Sequence, residues 1–396
     1  MPRLFQSIAA SSAIFLVGVS LAHAQIVKVS NVAASQRTGT KLVDVSYDLS
    51  GTAASFTVSL RISDDNGVTF AVPVKTLAGD FGNGILAGDG KKITWNAGAD
   101  WNGNYKDTMR FEVTATDTPT VGDIWVTIPA GGFRMGNVFP GEGVSAELPM
   151  HVVMVDGFRI GAREVHFSTW EIVHNWAIAH GYSFKNKGAG KGPIHPVQNI
   201  NWHDAVKWCN ARSEMENLTP CYTVNGEVYR SGEDTPDWNR SANGYRLPTE
   251  AEWEKAARGN LQDKRFPLGD TISHKAANYS AGRFVYESPQ GSGYHPSYAT
   301  GGFPYTSPVG SFPPNDIQIY DLTGNVTEWC WDWYDPGYYA KAEATNRPAG
   351  PATGAARVFR GGAWNTPANS LRVSWRFAGH PSAAGSSGGF RLARNQ

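Results

Sequence analysis

Between residues 25 and 117 the chain alternates. Apolar side chains take every second position in Lys41–Leu42–Val43–Asp44–Val45–Ser46–Tyr47 and in Ser55–Phe56–Thr57–Val58–Ser59–Leu60–Arg61–Ile62. Lys92–Ile93–Thr94–Trp95 and Met109–Arg110–Phe111–Glu112–Val113–Thr114 repeat the pattern. A period of two sets one strand face on a core and the other in water. Asp65–Asn66–Gly67 is a turn signal between two such runs. Short strands with glycine-rich breaks predict an all-β sandwich over residues 25–117. No catalytic cluster lies in this stretch, which reads as a spacer or adhesion module.

Thr118–Asp123 reads as a linker, and from Ile124 the texture changes. Alternation fades, and Trp and Gly-Pro punctuation increase. Helical signals appear at Trp170–His180, with Ser168–Thr169 as caps, and more weakly at Asp204–Glu214. The run Thr249–Gly259 has a capping Thr, Glu in its first turn, Arg258 in its last and Gly directly after. The rest predicts short strands and long ordered loops, an α+β domain with little regular structure over residues 124–396. Trp329, Trp331 and Trp333 alternate along one stretch. Core packing is the expectation for them, with an aromatic ligand platform as the alternative. Arg246, Glu250 and Glu252 at a helix start read as a cap and a salt bridge rather than acid/base chemistry.

The length of 396 residues suits two domains. Lys+Arg and Asp+Glu balance at 35 each. A neutral chain has no electrostatic reason to seek nucleic acid or an anionic membrane. Residues 1–24 read as a secretory signal: Arg3, an apolar run from Ile8 to Leu21, then Ala22–His23–Ala24 as cleavage site. The run is too short to span a bilayer. A periplasmic or secreted protein is expected, with no membrane span after cleavage. Its 3 cysteines, Cys209, Cys221 and Cys330, are too few and too odd in number for a disulfide framework.

A series of segments carries a resemblance. They are Ile128–Pro129–Ala130–Gly131–Gly132–Phe133–Arg134–Met135–Gly136, Pro196–Val197–Gln198–Asn199–Ile200–Asn201–Trp202–His203–Asp204–Ala205, and Tyr245–Arg246–Leu247–Pro248–Thr249–Glu250–Ala251–Glu252–Trp253–Glu254. Tyr320–Asp321–Leu322–Thr323–Gly324–Asn325–Val326–Thr327–Glu328–Trp329, Arg360–Gly361–Gly362 and Gly389–Phe390–Arg391 complete it. In this order they resemble the formylglycine-generating enzyme (sulfatase-modifying factor) family over residues 122–394. The resemblance implies a compact, C-type-lectin-related α+β fold. The alternating first stretch is similar in pattern only to immunoglobulin-like or fibronectin type III modules.

The family resemblance implies a calcium loop with Asp321 and Glu328 as carboxylates and the carbonyls of Gly324 and Val326. A second family calcium site maps onto Asn278, Tyr279 and Phe303, with Gly301 where its acid is expected. Oxidising members carry two cysteines in the interval between Arg-Gly-Gly and Gly-Phe-Arg, with four residues between them, and bind copper through them. Here no cysteine lies between Arg360 and Phe390, and Ala363 replaces the expected Ser. Copper is therefore not expected, and no catalytic residue is assigned. Three-histidine iron chemistry belongs to relatives with a helical-bundle domain that this pattern lacks. His151, His166, His195 and His203 are scattered along the chain, leaving their convergence open.

Small polar residues fill the interval from Trp364 to Gly388, punctuated by Trp and Arg. Recognition surfaces often have that composition. Variable ligand-binding proteins of diversity-generating systems use a similar frame. Trp364, Asn365, Asn369, Arg372 and Trp375 are the candidate ligand-binding residues. The expectation is an exported, calcium-stabilised module binding an unknown ligand, protein or glycan, a pseudoenzyme of its family. The alternative is an oxidoreductase making formylglycine on a sulfatase or oxidising another substrate.

Overall fold

The structure is a computed structural model describing residues 27–51, 56–104, 106–117, 123–282, 284–287 and 292–396. The expected signal sequence lies outside them, as does most of the expected linker. The chain divides into two compact units between Thr120 and Val121.

The first unit is rich in strands: β1 Lys28–Gln36, β2 Leu42–Ser50, β3 Phe56–Ser63, β4 Leu77–Gly79, β5 Gly82–Ile85, β6 Gly88–Asn96 and β7 Arg110–Asp117, with a helical turn α1 Ala97–Asp100. They form two antiparallel sheets, ordered β1-β2-β6-β4 and β5-β3-β7. The alternating side chains Val43, Val45, Tyr47 and Leu49 of β2 meet Phe56, Val58, Leu60 and Ile62 of β3 in one core. The alternation put that face inward. β1 has no such pattern: its register shifts between Ser30 and Ala33, and Asn31 takes φ 53°. At the predicted turn, Asn66 and Gly67 take φ 63° and 90°, and Asp65 accepts from Thr69 N at 2.8 Å.

The second unit holds twelve short strands, three α-helices and four short 3-10 turns among its described residues. β8 Trp125–Ile128, β11 Phe158–Gly161 and β19 Ala393–Asn395 form one sheet, so the last strand pairs with the start of the unit. β9 Gly131–Met135 pairs with β10 His151–Val155. β12 Tyr222–Val224, β13 Glu227–Val228 and β14 Asp237–Trp238 make a small sheet. β15 Thr327–Trp333, β16 Arg357–Arg360, β17 Phe377–Gly379 and β18 Gly388–Gly389 make the fourth, ordered β17-β16-β15-β18.

α2 Phe167–Ala179 and α3 Trp202–Met215 share a core in which Trp170 and Trp208 stack at 5.8 Å. Ser168 and Thr169 do not cap α2. Its N-cap is His166, and Phe167 N and Ser168 N donate to the carbonyls of His195 and Pro193 at 2.8 and 2.9 Å. A neighbouring loop thus supplies what a side-chain cap would. α3 starts earlier than the sequence suggested, with Asn201 accepting from Asp204 N at 2.7 Å. α4 Glu250–Arg258 has the predicted cap: Thr249 Oγ1 accepts from Glu252 N at 3.1 Å, and Glu252 accepts from Thr249 N at 2.9 Å.

The three tryptophans of β15 serve packing. Trp329 is buried and stacked on Phe359 at 3.5 Å, and Trp331 is stacked on Tyr222 at 5.1 Å. The Arg357 guanidinium lies between the Trp202 and Trp333 rings, 3.8 and 3.5 Å from their centroids.

Candidate functional site

Buried arginine–glutamate pairs build the site from below. α4 turns Glu250 and Glu254 inward, and Arg360 at the end of β16 reaches both. Glu250 also takes Arg376 at 2.7 and 2.8 Å, and Glu254 takes Arg258 at 2.9 and 2.7 Å. Burial opposes these charges, and Tyr339 with the glutamates holds Arg360 above its ordinary range, as Glu250 with Tyr339 does Arg376. The segment from Arg360 to Arg376 is therefore clamped at both ends onto one helix. Arg246 pairs with Glu252 at 2.6 Å, so the acids at the helix start are structural.

Within the clamp, Gly361 and Gly362 take φ 85° and 70°. A Cβ on Gly362 would overlap Leu371 Cδ2 and stand 3.2 Å from Thr366 Cγ2. Thr366 and Leu371, with four residues between them, thus converge on one point. Thr366 Oγ1 accepts from Ala363 N at 2.9 Å, and Leu371 is buried.

The five candidate ligand residues separate. Trp364 is only 4% exposed, with Nε1 donating to Ser386 O at 3.1 Å. Its ring packs against Tyr294, Phe303 and Tyr305 at 5.5, 5.4 and 5.5 Å. Those three also touch one another at 4.6–6.1 Å. Four rings in mutual contact leave no central space for a guest. What they offer is an outer platform: Phe303 is 66% exposed and Tyr294 40%. Asn365, next to Trp364, is exposed. Lys191 approaches from the side, 5.4 Å from the Tyr305 ring, held by Tyr298 O and Thr300 O at 3.1 and 2.7 Å.

Asn369 is half-buried, and its carbonyl accepts from Arg372 Nε at 2.9 Å. Arg372 is buried, with both terminal nitrogens on Glu147 at 2.7 and 2.8 Å. It is spent on the fold and not free for a ligand, a correction to the sequence reading. Trp375 is half-buried and packs against Arg372 and Phe377 at 5.3 and 5.9 Å. Sequence reasoning missed Tyr294 and Tyr305. The signal was present: aromatic residues crowd around Gly301–Gly302–Phe303–Pro304–Tyr305, upstream of the interval searched.

The residues of the expected calcium loop lie together. Asp321 takes φ 55°; its Oδ2 accepts from Gly310 N, and its Oδ1 is buried without a partner. Gly324 takes φ 82° where any Cβ would overlap the Asn278 backbone. Glu328 accepts from Arg391 through both oxygens and from Trp253 Nε1 at 2.7 Å. A third acid, Glu164, is buried beside them, accepting from Val326 N at 3.1 Å and Asn325 Nδ2 at 2.6 Å. Burial pushes the Asp321 carboxyl up to about 6, against the Gly310 bond and the Arg391 charge. Burial and the charges of Asp321 and Glu328 raise Glu164 well above the carboxylate range. Arg163 as well as Arg391 opposes the rise of Asp321. A narrow crevice of about 20 Å³ lined by Phe266, Ile272, Leu322 and others reaches Asp321 and Thr323, and Thr323 Oγ1 is also unpartnered. What the loop presents toward a hard cation is the orphaned, buried Asp321 oxygen, since such a cation takes oxygen ligands. At the second site, Asn278 Oδ1 is buried and unpartnered while its Nδ2 donates to Tyr305 O at 2.8 Å.

Soft-metal chemistry finds less. Cys209 and Cys221 lie in the core of α2 and α3, and Cys330 in the core of α4; all are buried. Burial raises Cys209 and Cys330 well above the ordinary thiol range and pushes Cys221 up to about 11. Among the described residues no three His, Cys, Asp or Glu side chains converge as a metal set. His195 is engaged with Thr306 Oγ1 at 3.0 Å and His203 with Tyr229 at 3.1 Å, and His166 is buried at the N-cap of α2.

The comparisons agree with this architecture. The sulfatase-modifying factor enzyme 1-like domain family matches residues 110–396. A formylglycine-generating enzyme of Streptomyces coelicolor is 34% identical, over 68% of this chain and 88% of that protein. Chaperone protein LppX of Paenibacillus barcinonensis is 31% identical, over 70% of this chain and 91% of that protein. Among solved structures, Treponema denticola variable protein 1 has a TM-score of 0.55 at 28% identity, covering 70% of this chain and 98% of that one. CarF has a TM-score of 0.53 at 27% identity, covering 69% and 98%. The chain belongs to the sulfatase-modifying factor enzyme 1-like family.

Proposed function

We propose that this chain is an exported, calcium-stabilised binding module on the family's scaffold, without its copper chemistry. One observation carries the reading. The clamped segment holds Thr366 and Leu371 where two side chains with the family's spacing converge, and neither is a thiol. A Cu(I) site needs two soft thiolates converging. The three sulfurs of this chain are buried in other cores, with thiolate formation suppressed.

In this reading the ligand stacks on Phe303 and Tyr294, beside Trp364, with Asn365 offering an amide. Asp321 Oδ1 and Glu328, with the carbonyls of Gly324 and Val326, would hold calcium, whose role there would be structural. The strand-rich first unit acts as an immunoglobulin- or fibronectin-like spacer. The likeness to a protein named a variable protein and to one named a chaperone supports a role without oxidation. The protein works in the periplasm or outside the cell.

Similarity to formylglycine-generating enzymes favours the second reading, an oxidase acting through other residues. Copper loading separates the two. The purified chain is given Cu(I) and a Cys-x-Pro-x-Arg peptide while oxygen is followed. Absence of both tight copper uptake and oxygen consumption is expected. One equivalent of tight Cu(I) with peptide-dependent oxygen uptake sinks the binding-module reading.

A further inference from the structure

We propose that Cys209 and Cys221 form a disulfide when the chain folds under oxidising conditions, leaving Cys330 as the single thiol. Both residues are fully buried, in the same core, and both are free thiols in the structure. The backbone around them is tied together on two sides. Asn210, next to Cys209, donates to Tyr222 O at 2.7 Å and accepts from Tyr222 N at 3.0 Å, and Tyr222 follows Cys221. Ser213, one turn beyond Cys209 on the same helix face, donates to Cys209 O at 2.7 Å and accepts from Tyr245 N at 2.8 Å. Gly244 N donates to the Cys221 sulfur, so the Gly244–Tyr245 backbone touches the surroundings of both cysteines. A charge on Cys221 raises Cys209, after burial the largest influence on it. Cys330 sits in a different core, with Asp332 and Glu250 as its charged neighbours.

The step balances with an external disulfide. Cys209 and Cys221 give up two protons and two electrons, one S–S bond forms, and a small-molecule or protein disulfide is reduced to two thiols. Exchange needs a thiolate, and the closed core suppresses both thiolates. The bond therefore forms while β12 is still settling on α3, before the core shuts. The closed loop is short, so its effect on the unfolded chain is at the modest end for such links. This inference is independent of the binding reading.

The test is a thiol count on the full chain refolded with oxidised glutathione, made in denaturant with a chromogenic disulfide reagent. One thiol per chain is expected, rising to 3 after full reduction. Peptide mapping should join the segments containing Cys209 and Cys221. Cys330→Ala should leave no titratable thiol in the oxidised chain. Three thiols without reduction, or a link that includes Cys330, overturns the proposal.

Discussion

Arg372 grips Glu147 through two parallel hydrogen bonds, 225 residues away along the chain, and both side chains are buried. The segment expected to greet a ligand is anchored instead to the loop before β10. Removing one partner of a buried pair leaves an uncompensated charge and costs about 3–5 kcal/mol. Arg372→Ala should lower stability by that amount in urea unfolding, and Arg372→Lys should recover little, since a single ammonium cannot make the two-pronged bond. A loss below about 1 kcal/mol would mean the pair is open to water.

Thr366 and Leu371 meet over Gly362, and that meeting can be converted into chemistry. The double variant Thr366→Cys/Leu371→Cys should gain one Cu(I) that resists a competing thiol chelator, where the wild type binds none. Each single variant should fall far short. Copper binding no better than wild type would place the family's sulfur positions elsewhere on this scaffold.

Gly362 is itself constrained, by φ 70° and by Leu371 Cδ2 at its Cβ position. Gly362→Ala should destabilise by roughly 2 kcal/mol or more, from strain and overlap together. Adding Leu371→Ala should cost less in the Gly362→Ala background than in wild type, because there it also removes the overlap. Strictly additive losses would show that backbone strain alone matters.

Asp321 Oδ1 has no protein partner, so calcium should raise the melting temperature and chelation should lower it. At a free concentration 100 times Kd the gain is about 2.7 kcal/mol. Asp321→Ala should erase the difference between calcium and EDTA. Equal melting in both conditions for the wild type removes calcium from the account.

His203 is buried against Tyr229, and burial pushes it down to about 4, with Glu233 pulling the other way. His166 is also pushed down to about 4, by burial and then by Arg163. Between about pH 6.5 and 4 the unfolded chain binds these protons and the folded chain does not. Each histidine should therefore remove about 1 kcal/mol of stability per pH unit as pH drops through that window, against the opposite contribution of the raised Asp321 and Glu164 carboxyls. His203→Gln should make the slope shallower. An unchanged slope would mean that this imidazole is solvated in the native state.

The sequence was legible where the period was regular. β2, β3, β6 and β7 follow alternating runs, and α4 follows from Thr249, Glu252 and Gly259. β1 was not legible, because its bulge breaks the period. The cap of α2 was misplaced because backbone carbonyls from a distant loop do the capping. At the site, Trp364 lies on the platform, but Arg372 does not. Nothing local to Arg372 reveals that Glu147 will be its neighbour. Tyr294 and Tyr305 escaped because the interval searched began at Trp364, while the fold brings an upstream loop over it.

β19 is the final strand, and it completes the sheet that β8 and β11 begin; Ala393 bonds Arg246 in both directions, and Arg391 neutralises Glu328. Removing the chain from Arg391 through β19 would leave β11 with an open edge and Glu328 as a buried charge without its counter-ion. Two segments more than two hundred residues apart in sequence thus hold one sheet shut between them.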